Sequence, residues 1–252
     1  MSRENVEPVN QGEWAGEGAP GWPVVVLLTA FMLASYLTLL AGTSTFDALL
    51  KEDGPVESLG ALALLLGGVL FLVAFARSRP SDRSAGAHFA KRMALLALAL
   101  LCLFAAGEEF SWGQRLLGYG TPEGIRSVNE QGELNVHNLA GVDSWFGYFA
   151  SAFWAGFAVL LPLASALHEP TRCFLRRHLP IYPASLALLF VANFALAQIA
   201  REVISSAGLY HGSEPIANTV LEIREMTVAV LFAAGAVCVA RSSRIPAGPA
   251  KP

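Results

Sequence analysis

The chain has 252 residues, of which 54% are hydrophobic and only 15% charged, against about 25% charged in a typical soluble domain. So little charge cannot cover the surface of a soluble fold, whereas a surface facing lipid needs none, and the composition therefore points to the membrane. The net charge of −3 excludes nucleic acid as the main partner, because that partner requires a basic footprint.

Residues 1–20 form a polar, mostly acidic tail in which Arg3 is the only base. A signal peptide opens instead on a basic stretch followed by a short apolar run, so the first apolar run, Trp22 to Ala41, is expected to remain as an anchor. Five more runs approach or reach the roughly 20 residues that cross the hydrocarbon core. They are Ser58 to Phe75, Met93 to Ala106, Trp145 to Leu167, Ile181 to Ala200 and Asn218 to Ala240. The third and sixth are short in their purely apolar part and must carry Glu or Arg to span. The expected fold is an all-α polytopic bundle of six transmembrane helices over 21–241, with an outer loop at 117–143 and a C-terminal tail at 242–252. The cysteines Cys102, Cys173 and Cys238 show no metal-type spacing and read as small hydrophobes rather than as a disulfide framework.

The connecting segments set the orientation. Arg77, Arg79, Arg83, Lys91 and Arg92 follow the second run, Arg172, Arg176 and Arg177 follow the fourth, and Arg241, Arg244 and Lys251 close the chain. By the positive-inside rule these segments are cytoplasmic, as are both termini. The alternate segments are acidic or balanced and face outward. They hold Asp47, Glu52, Asp53 and Glu57, then the stretch from Glu109 to Asp143, then Arg201, Glu202 and Glu214.

Ionisable groups gather at the outer level. The densest segment is Gly107-Glu108-Glu109-Phe110-Ser111-Trp112-Gly113-Gln114-Arg115, directly after an apolar helix. If that helix continues, Glu108, Trp112 and Arg115 share one face. A carboxylate near bilayer depth is costly and normally faces a partner or a cavity. An internal Glu108–Arg115 ion pair answers that cost, and so does a ligand or metal site using Glu108 or Glu109. The loop Asn129-Glu130-Gln131-Gly132-Glu133-Leu134-Asn135-Val136-His137-Asn138-Leu139 adds Glu133 and His137 four residues apart, which align if the segment is helical. Carboxylates with an imidazole suit Zn, Mn or Mg, although the spacing is no standard zinc motif. A capping or turn role for the asparagines and a hydrogen-bonded structural role for His137 stand beside that reading. Glu222 and Glu225 share a face of the sixth run beside Arg224, and Glu202 ends the fifth. His211 lies in the last outer loop, and Glu57 opens the second run, where an acid also serves the helix N-terminus.

The strings EDGPVE, GEEFSWGQR and NEQGELNVHNL, over about Glu52 to Leu139, resemble a group of bacterial multi-pass membrane proteins with EDG-type and GEE-x-SWGQR-type motifs. The resemblance implies a multi-pass protein of the bacterial cytoplasmic (inner) membrane and no particular activity.

Three functions follow from the pattern. The first is a metal-dependent hydrolase or transferase acting on a lipid or lipid-linked substrate. There a divalent cation is held by Glu108, Glu109, Glu133 and His137, and Glu108, Glu222 and Arg115 serve the chemistry. The second is a structural or assembly subunit that meets other membrane subunits through the outer loop, with Leu66-Gly67-Gly68-Val69 allowing close helix contacts. The third is a transporter of a cation or small solute, which needs polar groups along the whole path.

Overall fold

The computed structural model describes residues 19–40, 48–49, 54–78, 85–129, 132–207 and 216–243. The sequence features at Glu52, Asp53, Glu130, Gln131, His211 and Glu214, and most of both tails, lie outside the described residues.

Six helices are long and apolar enough to cross a membrane: Trp22–Leu40, Pro55–Arg77, Ala85–Glu109, Trp145–Leu167, Ala184–Ser206 and Thr219–Ser242. Among the described residues the only β-pairing is an isolated bridge between Asn129 and Leu139. The chain is an all-α, polytopic membrane protein. The second span starts where Gly54 leaves the helix and Pro55 enters it, with Glu57 in its first turn. Proline fits the first turn because no intrahelical partner waits for its missing N–H, and an acid there favours the helix dipole.

The third span is longer than its apolar core suggests. It begins at Ala85 and so includes Lys91 and Arg92. Both heads find partners at the helix end. Arg92 donates to Ser78 O at 2.7 Å and lies 4.2 Å over the Phe75 ring, and Lys91 donates to Arg176 O at 3.1 Å. Their aliphatic stems cover apolar surface while the charges stay at the boundary. The fourth span widens into a π-helical stretch at Ala155–Leu160 just ahead of Pro162. Proline brings no N–H to the ladder and crowds the preceding turn, so the helix loosens there.

Small residues set how closely the spans approach. A Cβ on Gly67 would lie 3.7 Å from Ala233 Cα in the sixth span, and one on Gly68 would meet Leu103 in the third at 2.7 Å. Side-chain size is minimal where helices pack this closely in lipid. The basic half of the bundle is filled by Phe71, Leu95, Tyr182, Phe190 and Phe232, all buried. Polar contact inside the spans is concentrated at Asn193, which is 0% exposed. Its Oδ1 accepts from Tyr36 Oη at 2.9 Å and from Thr227 Oγ1 at 2.7 Å, and its Nδ2 donates to Arg224 O at 3.3 Å. This clasp joins the first, fifth and sixth spans. Cys102 and Cys238 are buried free thiols and Cys173 is exposed.

Candidate functional site

The third span ends at Glu109, and the chain reverses at once. Ser111, Trp112 and Gly113 all have positive φ, at 44°, 54° and 78°. For the two non-glycine residues this conformation costs about 1–3 kcal/mol each, so surrounding contacts must enforce it. The helix therefore does not carry on through Arg115, and Glu108, Trp112 and Arg115 do not form one helical stripe. Arg115 belongs to a separate short helix, Gln114–Leu117, and its side chain lies outside the described residues.

The reversal folds Trp112 back onto its own span. Its Nε1 donates to Glu108 Oε1 at 2.7 Å. Its ring lies over Gly107, where an added Cβ would meet ring carbons at 2.9–3.1 Å. Gly107 is thus the seat that lets the indole reach the carboxylate. The second oxygen of Glu108 accepts from Val136 N at 2.6 Å and His137 N at 2.9 Å, with His137 Nδ1 3.4 Å away. Glu108 is 1% exposed. A buried carboxylate of this kind is tolerated because hydrogen-bond donors replace its water. Among the described residues the partners of Glu108 are the indole, the loop backbone and the His137 ring; the ion pair with Arg115 that the sequence suggested falls on a side chain outside the described residues.

Loop residues 132–142 run through turns and bends rather than helix, so Glu133 and His137 do not share a helical face. Ser111 Oγ donates to Glu133 Oε2 in a short hydrogen bond. Asn135 Nδ2 reaches Glu133 Oε2 at 3.2 Å and Ser111 Oγ at 3.3 Å. Asn129 Nδ2 donates to Asn135 Oδ1 at 2.8 Å, and Asn129 Oδ1 accepts from Glu133 N at 3.0 Å. Gln114 Oε1 accepts from Leu134 N at 2.7 Å, and its Nε2 donates to Thr121 Oγ1 at 2.7 Å. Glu108, Ser111, Asn129, Glu133 and Asn135 are all buried. The described residues of the strings GEEFSWGQR and NEQGELNVHNL thus form two halves of one hydrogen-bonded cap on the acidic end of the bundle. Sequence reading left Ser111 and Gln114 without a role here, and the one signal for them was the density of hydroxyl and amide side chains in both strings; the Asn129 side chain, accepting from Glu133 N, makes the local turn contact expected of the asparagines.

His137 sits at the rim, with its side chain 27% exposed and its ring 6.1 Å from that of Phe146. Burial pushes its pKa down and the neighbouring Glu108 carboxylate pulls it back up, with a net lowering. The imidazole is therefore neutral at pH 7. Under the cap, Trp112, Ile125, Leu134, Asn135, Val136 and Leu139 line a mostly apolar cavity of about 110 Å³.

Glu109 points the other way. With Glu57, Glu222 and Glu225 it lines a narrow cleft of about 20 Å³ between the second, third and sixth spans. That volume holds about one water or ion. Arg224 lies 3.9 Å from Glu225, whose side chain is 53% exposed. Adjacent residues of one string therefore serve two places: Glu108 with Glu133 and His137 in the cap, and Glu109 with Glu222 in the cleft. Glu202 and Arg201 are exposed at the end of the fifth span and join neither. Among the described residues, no three His, Cys, Asp or Glu side chains are arranged to hold one metal ion. A cation on Glu108 would have to displace the indole and backbone donors that fasten the cap.

The fold and this site define a class, a membrane-embedded polytopic helical protein with a folded cap at one end of the bundle. Comparison with known protein families, with curated proteins and with solved structures finds no match.

Proposed function

We propose that this chain is an assembly or docking subunit of the bacterial inner membrane, with the cap facing outward as the surface that receives another membrane protein. The observation that carries the reading is the use made of Glu108. A buried charge, bonded to Trp112, Val136 and His137, is spent on holding a loop in one shape. Polar networks of this kind rigidify what they connect, and a rigid surface binds with less ordering cost. The cap also presents Leu116, Leu117 and Val128 outward, at 89%, 72% and 52% exposure. Its apolar cavity has room for a side chain inserted by a partner.

Site-specific photo-crosslinking from the full-length chain in native membranes tests this. A crosslinker at Val136 is expected to give one discrete protein adduct that weakens with Glu108→Gln, while one at lipid-facing Leu65 gives none. Adducts at Val136 no different from those at Leu65, or unmoved by Glu108→Gln, count against the docking reading.

One contact favours a second reading, a hydrolase or transferase acting on a lipid or lipid-linked group. His137 Nδ1 faces the Glu108 carboxylate, which leaves Nε2 as the basic nitrogen of a neutral ring at the half-buried rim of the cap. A carboxylate that orients an imidazole in this way supports general-base work on water. Turnover of a lipid substrate that falls with His137→Gln and persists with Glu222→Gln supports this role; turnover indifferent to His137→Gln removes it.

A further inference from the structure

The other end of the bundle is as basic as the cap end is acidic. Of the 17 Lys and Arg residues, eleven fall between Arg77 and Arg92, between Arg172 and Arg177, or from Arg241 to Lys251. The acids within those stretches and the helix at Glu169 are only Asp82 and Glu169. The centre of this end is the helix Glu169–His178, which joins the fourth span to the fifth. A helix tied this closely to two span ends lies at the membrane boundary by connectivity.

Its side chains divide by direction. At 100° per residue, Arg172, Arg176 and Arg177 lie within one arc around Cys173, while Thr171, Phe174 and Leu175 lie on the other. Leu175 is buried against the bundle, and Phe174 is 62% exposed. A helix with a basic arc, a buried apolar anchor and an exposed aromatic beside them has the pattern of one lying in the interfacial plane, aromatic toward acyl chains and charges toward head groups. Lys91, from the third span, adds its charge where it meets the Arg176 carbonyl. Arg176 and Arg177 have contacts inside the protein, yet their charge still contributes to the local field.

We propose that this face binds anionic phospholipid head groups, with Arg172, Arg177 and Lys91 supplying the charge and Phe174 the apolar contact. Charge complementarity selects the occupant. The N-terminal tail also carries acids, Glu4, Glu7, Glu13 and Glu17, with one aromatic, Trp14, but a helix lying in the interfacial plane meets lipid along its whole length, where acyl chains and head groups use the ring and the charges together.

The test uses the full-length protein in detergent titrated with phosphatidylglycerol or phosphatidylcholine, read by native mass spectrometry and thermal unfolding. Phosphatidylglycerol is expected to bind and stabilise, and phosphatidylcholine is not. With each surface charge contributing roughly fivefold, Arg172→Gln with Arg177→Gln lowers the apparent affinity roughly 30-fold. Arg126→Gln, a basic residue on the cap, leaves it unchanged. Equal binding of the two lipids overturns the proposal, as does a double variant that binds like wild type. Competition by millimolar inorganic phosphate would assign the site to free anion and also overturns it. A phosphatidylglycerol effect that emerges only after deletion of residues 1–17 would show that the tail occupies the face in the full chain, which likewise overturns it.

Discussion

Replacing Glu108 by glutamine should loosen the cap and leave the bundle intact. Glutamine keeps the length of the side chain and one acceptor oxygen. Whichever way its amide turns, its NH2 group meets a donor: the Trp112 indole on the Oε1 side, or the Val136 and His137 amides on the Oε2 side. At least one hydrogen bond is lost, and those that remain change from charge-assisted to neutral. Bonds to a charged group contribute about 1.5–3 kcal/mol and neutral ones about 0.5–1.5 kcal/mol, and a donor left buried adds its own desolvation cost. The cap should lose about 2–4 kcal/mol of local stability, which corresponds to roughly 30- to 900-fold easier opening. Amide hydrogen exchange reads this residue by residue. The Val136 and His137 amides should exchange faster by that factor, while Leu231 in the sixth span stays as protected as in the wild type. Exchange at Val136 and His137 within threefold of wild type would refute the argument, because it would mean that Glu108 is not their acceptor.

Other perturbations probe the remaining contacts. Gly107→Ala puts a methyl against the Trp112 ring at 2.9 Å. It should cost about 1–3 kcal/mol, seen as faster protease cleavage within residues 117–142 while the spans remain folded. Asn193→Leu removes the acceptor shared by Tyr36 and Thr227. Thermal unfolding in detergent should show a loss of about 0.5–2 kcal/mol, and an unchanged midpoint would mean that the clasp adds nothing. His137 has its pKa lowered in the folded cap by burial, against the pull of Glu108. Its contribution to cap stability is therefore complete above the unfolded histidine value, about 6.5, and is lost as pH falls through the lower folded value. Amide exchange in the cap should accelerate on acidification, and His137→Gln should flatten that response. Elemental analysis of gently purified protein should find no stoichiometric Zn, Mn or Mg, and metal that disappears with Glu108→Gln and His137→Ala would instead restore the metal-centred reading.

Much of the architecture follows from composition along the chain. A stretch of about 20 apolar residues satisfies its own backbone only as a helix in lipid, and this requires no knowledge of its neighbours. The six spans, the close approach at Gly67 and Gly68, and the division of the molecule into an acidic and a basic end were legible for that reason. Span limits were less so. The third helix extends back to Ala85 because Lys91 and Arg92 find partners on other segments, and no local pattern announces such partners.

The site belongs to tertiary structure. Spacing placed Glu108 with Arg115, and Glu133 with His137, on the assumption that helices continue. Left-handed backbone at Ser111 and Trp112 ends that assumption for the first pair and the turns of residues 132–142 end it for the second, so that hydrogen bonds between residues 20 to 29 apart join the two strings into one network. Sequence alone determined that this chain has six segments long and apolar enough to cross the membrane, with most of the carboxylates between them gathered at one end, because hydrophobic length and charge are properties of a segment. Only the folded chain decided that Glu108 fastens the cap while its neighbour Glu109 faces the cleft, because the partner of a buried charge is set by what the rest of the chain brings within hydrogen-bonding distance.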